Sequence, residues 1–261
     1  MDVIKFTETV FSDSGKKGIM TPDADGYYTV MVGALNTYNS AGEYYTAEGS
    51  VQLFQNSSHF MRRIKNGALY SELGHPKKTA DMSMEQFYSR VVSIEETNIC
   101  GHFSEINLDL QFGKKNPHLK NPDLIGIVAK VKPAGAKANA LQLALENPKQ
   151  NCAFSIRGLT ENKYVNGRVE RRLTNVITFD FVTEPGIATS DKTFAPGLEH
   201  RIAVESACVN EAFDTIVDKT ILKRVLNSNM SLVGMESNRE LFNDIIKNLD
   251  KRPNSNRLAA W

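Results

Sequence analysis

Two segments far apart in the chain, Tyr70-Ser71-Glu72-Leu73-Gly74-His75-Pro76 and Cys152-Ala153-Phe154-Ser155-Ile156-Arg157-Gly158, carry the residue types that acyl transfer needs. A serine hydroxyl is a poor nucleophile near neutral pH until a positioned base takes its proton, and histidine is the usual base. His75 lies between Gly74 and Pro76, which fix the backbone so that the imidazole can be aimed. Ser155 ends a short apolar run, and a tight turn expected at Arg157-Gly158 brings N–H groups close enough to stabilise an oxyanion. The segments read as two halves of a serine hydrolase site. Ser155 is the nucleophile, His75 the general base, and Arg157 and Gly158 the oxyanion contact. Cys152 falls on the opposite face of the same strand from Ser155, so it reads as a core thiol.

Residues 70–76 resemble the Gly-Glu-Leu-x-His-Pro motif of tailed-phage prohead (capsid maturation) proteases, and Phe154 to Gly158 is similar to that family's Ser-x-Arg-Gly nucleophile motif. Phe179-Asp180-Phe181-Val182-Thr183-Glu184-Pro185-Gly186 is similar to the Asp-x-Val-x-x-Pro-Ser/Gly stretch that follows it in these enzymes. The resemblance covers about residues 65–190 and keeps the family order. It implies a herpesvirus protease-like fold and a serine endopeptidase that works in the host cytoplasm, inside the phage prohead. Its expected substrates are scaffold or core proteins and the major capsid protein, cut after glutamate, together with the enzyme itself. A homo-oligomer is expected, with no cofactor.

A triad also needs a group on the far imidazole nitrogen to hold the tautomer. Herpesvirus proteases use a second histidine there, and His102 aligns with a Ser-His pair of phage relatives, although Gly101 replaces the serine. Glu72 and Asp180 are the carboxylate alternatives, and Glu72 can instead support the His75 loop. For self-cleavage the candidate is Glu236, in Gly234-Met235-Glu236, ahead of the Thr46-Ala47-Glu48 site. A barrel-type structural or scaffold protein of the virion, without catalysis, is the alternative function; retention of both Ser155 and His75 in their motifs argues against it. An esterase lacks support, because no Gly-x-Ser-x-Gly surrounds Ser155.

The elements that must position these residues are legible in outline. Residues 1–25 read as an irregular arm, 27–35 and 49–54 as strands, 57–65 as a helix, and 68–73 as the strand that delivers His75. Ser83-Met84-Glu85-Gln86 is a capping-box pattern opening a helix to about Arg90. Residues 103–112 alternate as a strand, 124–131 form another, and 134–146 a helix. A hairpin turn falls at Asn166-Gly167, followed by a strand over 176–182 and a long loop to 196. Val209, Phe213, Val217, Ile221 and Val225 mark an amphipathic helix that Asn227-Ser228-Asn229 breaks. A last helix opens at Ser237-x-x-Glu240, and 251–261 reads as a disordered tail. Strands with a few helices imply an α+β domain over 1–226, a mainly antiparallel β-barrel with surrounding helices, and a helical tail over 227–261 that self-cleavage can remove.

The chain has 261 residues, enough for a substantial core. Lys plus Arg is 31 against 30 for Asp plus Glu, which gives no reason to expect a nucleic-acid or membrane partner. Cys100, Cys152 and Cys208 are an odd set without metal-type spacing, so they read as reduced thiols. His59, His118 and His200 have no ligand-like neighbours in sequence, and no metal site is expected. No signal-peptide or membrane-spanning run is present.

Overall fold

A computed structural model describes residues 19–39, 42–56, 58–183, 186–190, 192, 214–232, 236–251 and 256–260. Two sheets carry the fold. The first has the order β1-β6-β5-β4, built from β1 (Tyr28–Leu35), β6 (Ile125–Pro133), β5 (Ile99–Asp109) and β4 (Tyr70–Glu72), all antiparallel. The second has the order β2-β3-β8-β7-β10-β9, from β2 (Thr37–Tyr38), β3 (Tyr44–Tyr45), β8 (Arg168–Val182), β7 (Ala153–Val165), β10 (Asn256–Ala260) and β9 (Asp214–Ile216). It is antiparallel except where β3 meets β8. A bridge between Leu73 and Phe181 ties the sheets together beside the end of β4. The class is α+β with antiparallel sheets, as the sequence implies, in two ladders joined by that bridge.

The long β7–β8 hairpin is the wall between two apolar cores. Its turn has Asn166 at φ 50° and Gly167 at φ 81°, the left-handed pair that a tight antiparallel turn requires. Phe154, Ile156, Phe179 and Phe181 project into the larger core with Phe103, Ile106 and Ile127 of the first sheet. α1 (His59–Lys65), the short α3 (Phe112–Lys115) and α4 (Ala138–Glu146) close that core through Phe60, Ile64, Phe112, Leu141 and Leu145. Leu159 and Ile177 belong to a second core with α2 (Met84–Val92), α5 (Lys219–Leu232) and α6 (Glu236–Lys251). α2 starts where its capping box is expected. The Ser83 hydroxyl accepts from the Gln86 N–H, and the Gln86 side chain accepts from the Ser83 N–H.

Several expectations are corrected by tertiary contacts. Residues 49–54 hold a 3-10 turn, Val51–Phe54, in place of a strand. The Ser50 hydroxyl there donates to the Thr46 carbonyl and accepts from the Leu173 N–H, which folds the segment back onto β8. The helix expected over 209–225 starts only at Lys219, because the Asp218 carboxylate caps the N–H groups of Thr220 and Ile221. Val209 and Phe213 lie outside the described residues, and 214–216 is strand. Asn227-Ser228-Asn229 does not break α5, where Asn229 donates to Ser89 of α2 and so rewards a continuous helix. The boundary expected between 226 and 227 therefore falls inside α5. The tail expected to be disordered contributes β10 to the second sheet.

Candidate active site

The strand β4 leads His75 to its place. Gly74 takes φ 75°, a conformation that glycine adopts readily, and donates its N–H to the Phe181 carbonyl at 2.7 Å. That bond pins the loop to β8 next to Asp180. The His75 Nδ1 then lies 2.8 Å from Asp180 Oδ2, with the carboxylate fully buried and the imidazole slightly exposed. With the carboxylate ionised, Nδ1 carries the proton and Nε2 is left free to accept one.

Ser155 reaches the same place through strand register. It stands directly opposite Asp180 in the β7–β8 ladder, so the two side chains leave the sheet on one face. Its Oγ is buried and has no hydrogen-bond partner among the described residues. Phe154 and Ile156 point the other way, into the larger core, and so does Cys152. Cys152 and Cys100 are buried thiols in no disulfide, and burial pushes the Cys100 thiol up to about 12. Cys208 lies outside the described residues.

No turn follows Ser155. Arg157 and Gly158 lie in mid-strand in β7, with an irregularity in the pairing between them. Gly158 is needed for close approach: a Cβ there would stand 2.4 Å from the Asn175 carbonyl oxygen of β8. The Arg157 guanidinium is buried and turned onto the same face as Ser155. Its Nη2 bonds Asp180 Oδ1 at 2.9 Å and Glu72 Oε1 at 3.0 Å, and its Nη1 donates to the Ser93 carbonyl at the end of α2. Its Nε has no partner among the described residues.

Glu72 anchors this charge cluster from behind. It accepts from Arg90 of α2, from the Glu95 N–H at 2.9 Å and from Asn98 at 3.1 Å, besides Arg157. Burial pushes its carboxyl up, but the Arg90 hydrogen bond, the Arg157 charge and the other donors outweigh that and hold it at about 2. Glu72 thus supports the Arg157–Asp180 pair and makes no bond to His75. Sequence reading missed Arg90 and Asn98, which no local pattern marks, since each meets Glu72 only through the fold. Arg63 is also buried near this cluster, donating to the Ile177 carbonyl; burial, then the Arg157 charge, lower it to about 10.

His102 is not on the His75 ring. It pairs with Tyr70 across β4–β5, and its nitrogens meet the Tyr27 hydroxyl at 3.0 Å and the Gly67 carbonyl at 3.1 Å. The neighbouring Gly101 is fixed by packing: a Cβ would approach Leu141 to 2.8 Å and Val131 to 3.0 Å. Of the other histidines, His59 meets Arg62 and Glu240 near the surface. No cluster of potential metal ligands, and no helix long and apolar enough to cross a membrane, occurs among the described residues.

Comparison with known proteins matches residues 6–247 to the Peptidase S80 family, a span that includes His75, Ser155 and Asp180. The chain belongs to the Peptidase S80 family. As an S80 member it is a serine peptidase. It is also similar to the capsid maturation protease of Pseudomonas phage phiKZ, 32% identical over 195 residues, 73% of this chain and 70% of that protein. No solved structure matches. Serine-peptidase chemistry needs a nucleophilic serine, a base and an orienting group, and this S80 chain gathers those residue types around Asp180.

Proposed function

We propose that the chain is a capsid maturation protease in which Ser155 is the nucleophile, His75 the general base and Asp180 the group that orients it. One observation carries the assignment: Asp180 bonds the His75 ring while standing opposite Ser155 in the sheet. Ser155 Oγ attacks the peptide carbonyl carbon as its proton passes to His75 Nε2. That proton then goes to the leaving amine as the C–N bond breaks, and water hydrolyses the acyl-serine ester by the same steps in reverse roles. The oxyanion is held by a backbone N–H of Arg157 or Gly158, or by the Arg157 Nε–H, a buried donor with no other described partner.

The substrates are the scaffold or core proteins and the major capsid protein, cleaved after glutamate inside the prohead in the host cytoplasm, by a homo-oligomeric enzyme in a herpesvirus protease-like fold. The phiKZ relative's name supports the capsid role, and the resemblance of the three motifs supports the rest. Self-cleavage falls at Glu236, the first residue of α6. Intact mass of wild type and Ser155→Ala after incubation tests this. A wild-type product ending at Glu236 and missing in Ser155→Ala is expected; full-length mass for both, with no cleavage of scaffold-derived peptides, overturns it.

A further inference from the structure

Every buried charge behind Ser155 but one has its counter-charge. Asp180 gives Oδ1 to Arg157 and Oδ2 to His75. Glu72 takes Arg90 and Arg157, and also accepts from the Glu95 N–H and Asn98. Two buried carboxylates thus balance two guanidinia, and Glu95 adds a carboxylate to Arg90 at the rim, where water screens it. Arg63, in the last turn of α1, is the exception. It is 4% exposed, yet no described carboxylate pairs with it. Its Nη1 donates to the Ile177 carbonyl at 2.6 Å, a neutral acceptor, and its Nε has no partner among the described residues.

The place of that carbonyl gives the charge a use. Arg157 pairs with Thr178 and Gly158 with Val176, so Ile177 is an extra residue in β8, a bulge facing the Arg157–Gly158 step. A bulge leaves its extra residue out of the ladder, and Arg63 reaches across from α1 to supply a donor. Its guanidinium thereby comes close enough to Arg157 to feel that charge. Burial and then Arg157 lower Arg63 to about 10, so it stays charged at neutral pH.

A neutral donor would serve a carbonyl as well, without the cost of burying an unpaired charge. What arginine adds is the charge itself. Attack by Ser155 puts a negative charge on the substrate oxygen, and a positive charge already fixed in a water-poor site favours that state without reorganising. The neutral ground-state carbonyl gains much less, so the effect falls on kcat and not on KM.

We infer that Arg63 supports the oxyanion electrostatically: its uncompensated charge, held beside Arg157 by the Ile177 bulge, favours the tetrahedral intermediate without touching a reacting atom. It acts across Arg157 and is no member of the triad. The inference rests on the assignment of Ser155 as nucleophile and of the Arg157–Gly158 region to the oxyanion.

The test compares the full chain with Arg63→Met, which removes charge and donor, Arg63→Gln, which removes the charge and keeps a donor for the carbonyl, and Arg63→Lys, which keeps the charge. The substrate is a single quenched fluorescent peptide that the wild type cleaves, chosen from a library with a fixed glutamate. Arg63→Met and Arg63→Gln are each expected to lower kcat by about 10–100-fold with KM within about threefold. Arg63→Lys is expected to recover kcat to within about fivefold of wild type. A wild-type kcat in folded Arg63→Gln, or a loss in Arg63→Lys as large as in Arg63→Met, overturns the inference while leaving Ser155 and His75 in their roles. Failure of both neutral variants to fold overturns it too, since Arg63 then serves the fold. Absence of any Ser155-dependent cleavage of the library by the wild type overturns the catalytic assignment and the inference with it.

Discussion

Asp180 stands opposite Ser155 on the hairpin and holds the Nδ1 of His75 at 2.8 Å. The same carboxylate takes Arg157 on its other oxygen. One buried group thus joins the histidine loop, the serine strand and, through Arg157 and Glu72, the helix α2 that supplies Arg90. Removing one partner from such a desolvated pair costs about 3–5 kcal/mol, because the other charge is left uncompensated.

Ser155→Ala should separate chemistry from stability. The hydroxyl makes no described hydrogen bond, so its loss leaves no partner unsatisfied. Activity is expected to fall by at least about 10⁴-fold, with a thermal midpoint no lower than that of wild type. A calorimetric scan beside a peptide-hydrolysis assay checks both halves.

Asp180→Asn and His102→Gln distinguish the two choices for the orienting group. Asp180→Asn should reduce kcat by about 10³–10⁴-fold through the wrong His75 tautomer, and should destabilise the fold through Arg157. His102→Gln should leave kcat/KM within about threefold, since its contacts are Tyr27 and Gly67. Steady-state kinetics on the pair would reverse the assignment if His102→Gln proved the more damaging.

Acid stability should depend on Glu72. Its carboxyl is lowered to about 2 in the folded chain, against an ordinary value of 4.5. A depressed folded value gives stability that is fully present above the unfolded value and is lost as pH falls through the folded one. The wild type should therefore lose about 3 kcal/mol from this group between about pH 5 and pH 2. Glu72→Gln should be less stable at pH 7 and should show a flatter stability curve across that window, as read by denaturant titration.

Gly158→Ala should be costly although alanine is small. Its Cβ would meet the Asn175 carbonyl oxygen, a backbone atom that cannot rotate away. A loss of about 1–3 kcal/mol is expected from the strain, with reduced activity because the β7–β8 register beside Ser155 is disturbed. Denaturation midpoint and hydrolysis rate measure the two effects.

Much of this protein can be read locally. The alternation around Ile106 and Leu108, the Ser83–Gln86 box and the Asn166-Gly167 turn each depend on a few neighbouring residues, and each forms as its pattern implies. His75 and Ser155 stand out for the same reason, as reactive types set among strand and turn residues, whereas Asp180 is only one alternative beside His102 and Glu72. What local pattern cannot supply is pairing. That the His75 ring meets Asp180, and not His102 or Glu72, follows from β7–β8 register and from a Gly74 N–H that binds β8. The use of Arg157 and Glu72 as a buried charge support depends on α2 arriving with Arg90. The tail's polar sequence looks disordered until an unpaired sheet edge offers its backbone partners. Sequence by itself determined the chemistry available and most of the elements, because these rest on side-chain type and short periodicity. Only the tertiary structure decided which groups share a face and a proton, because desolvation and long-range register act between residues that the chain keeps far apart.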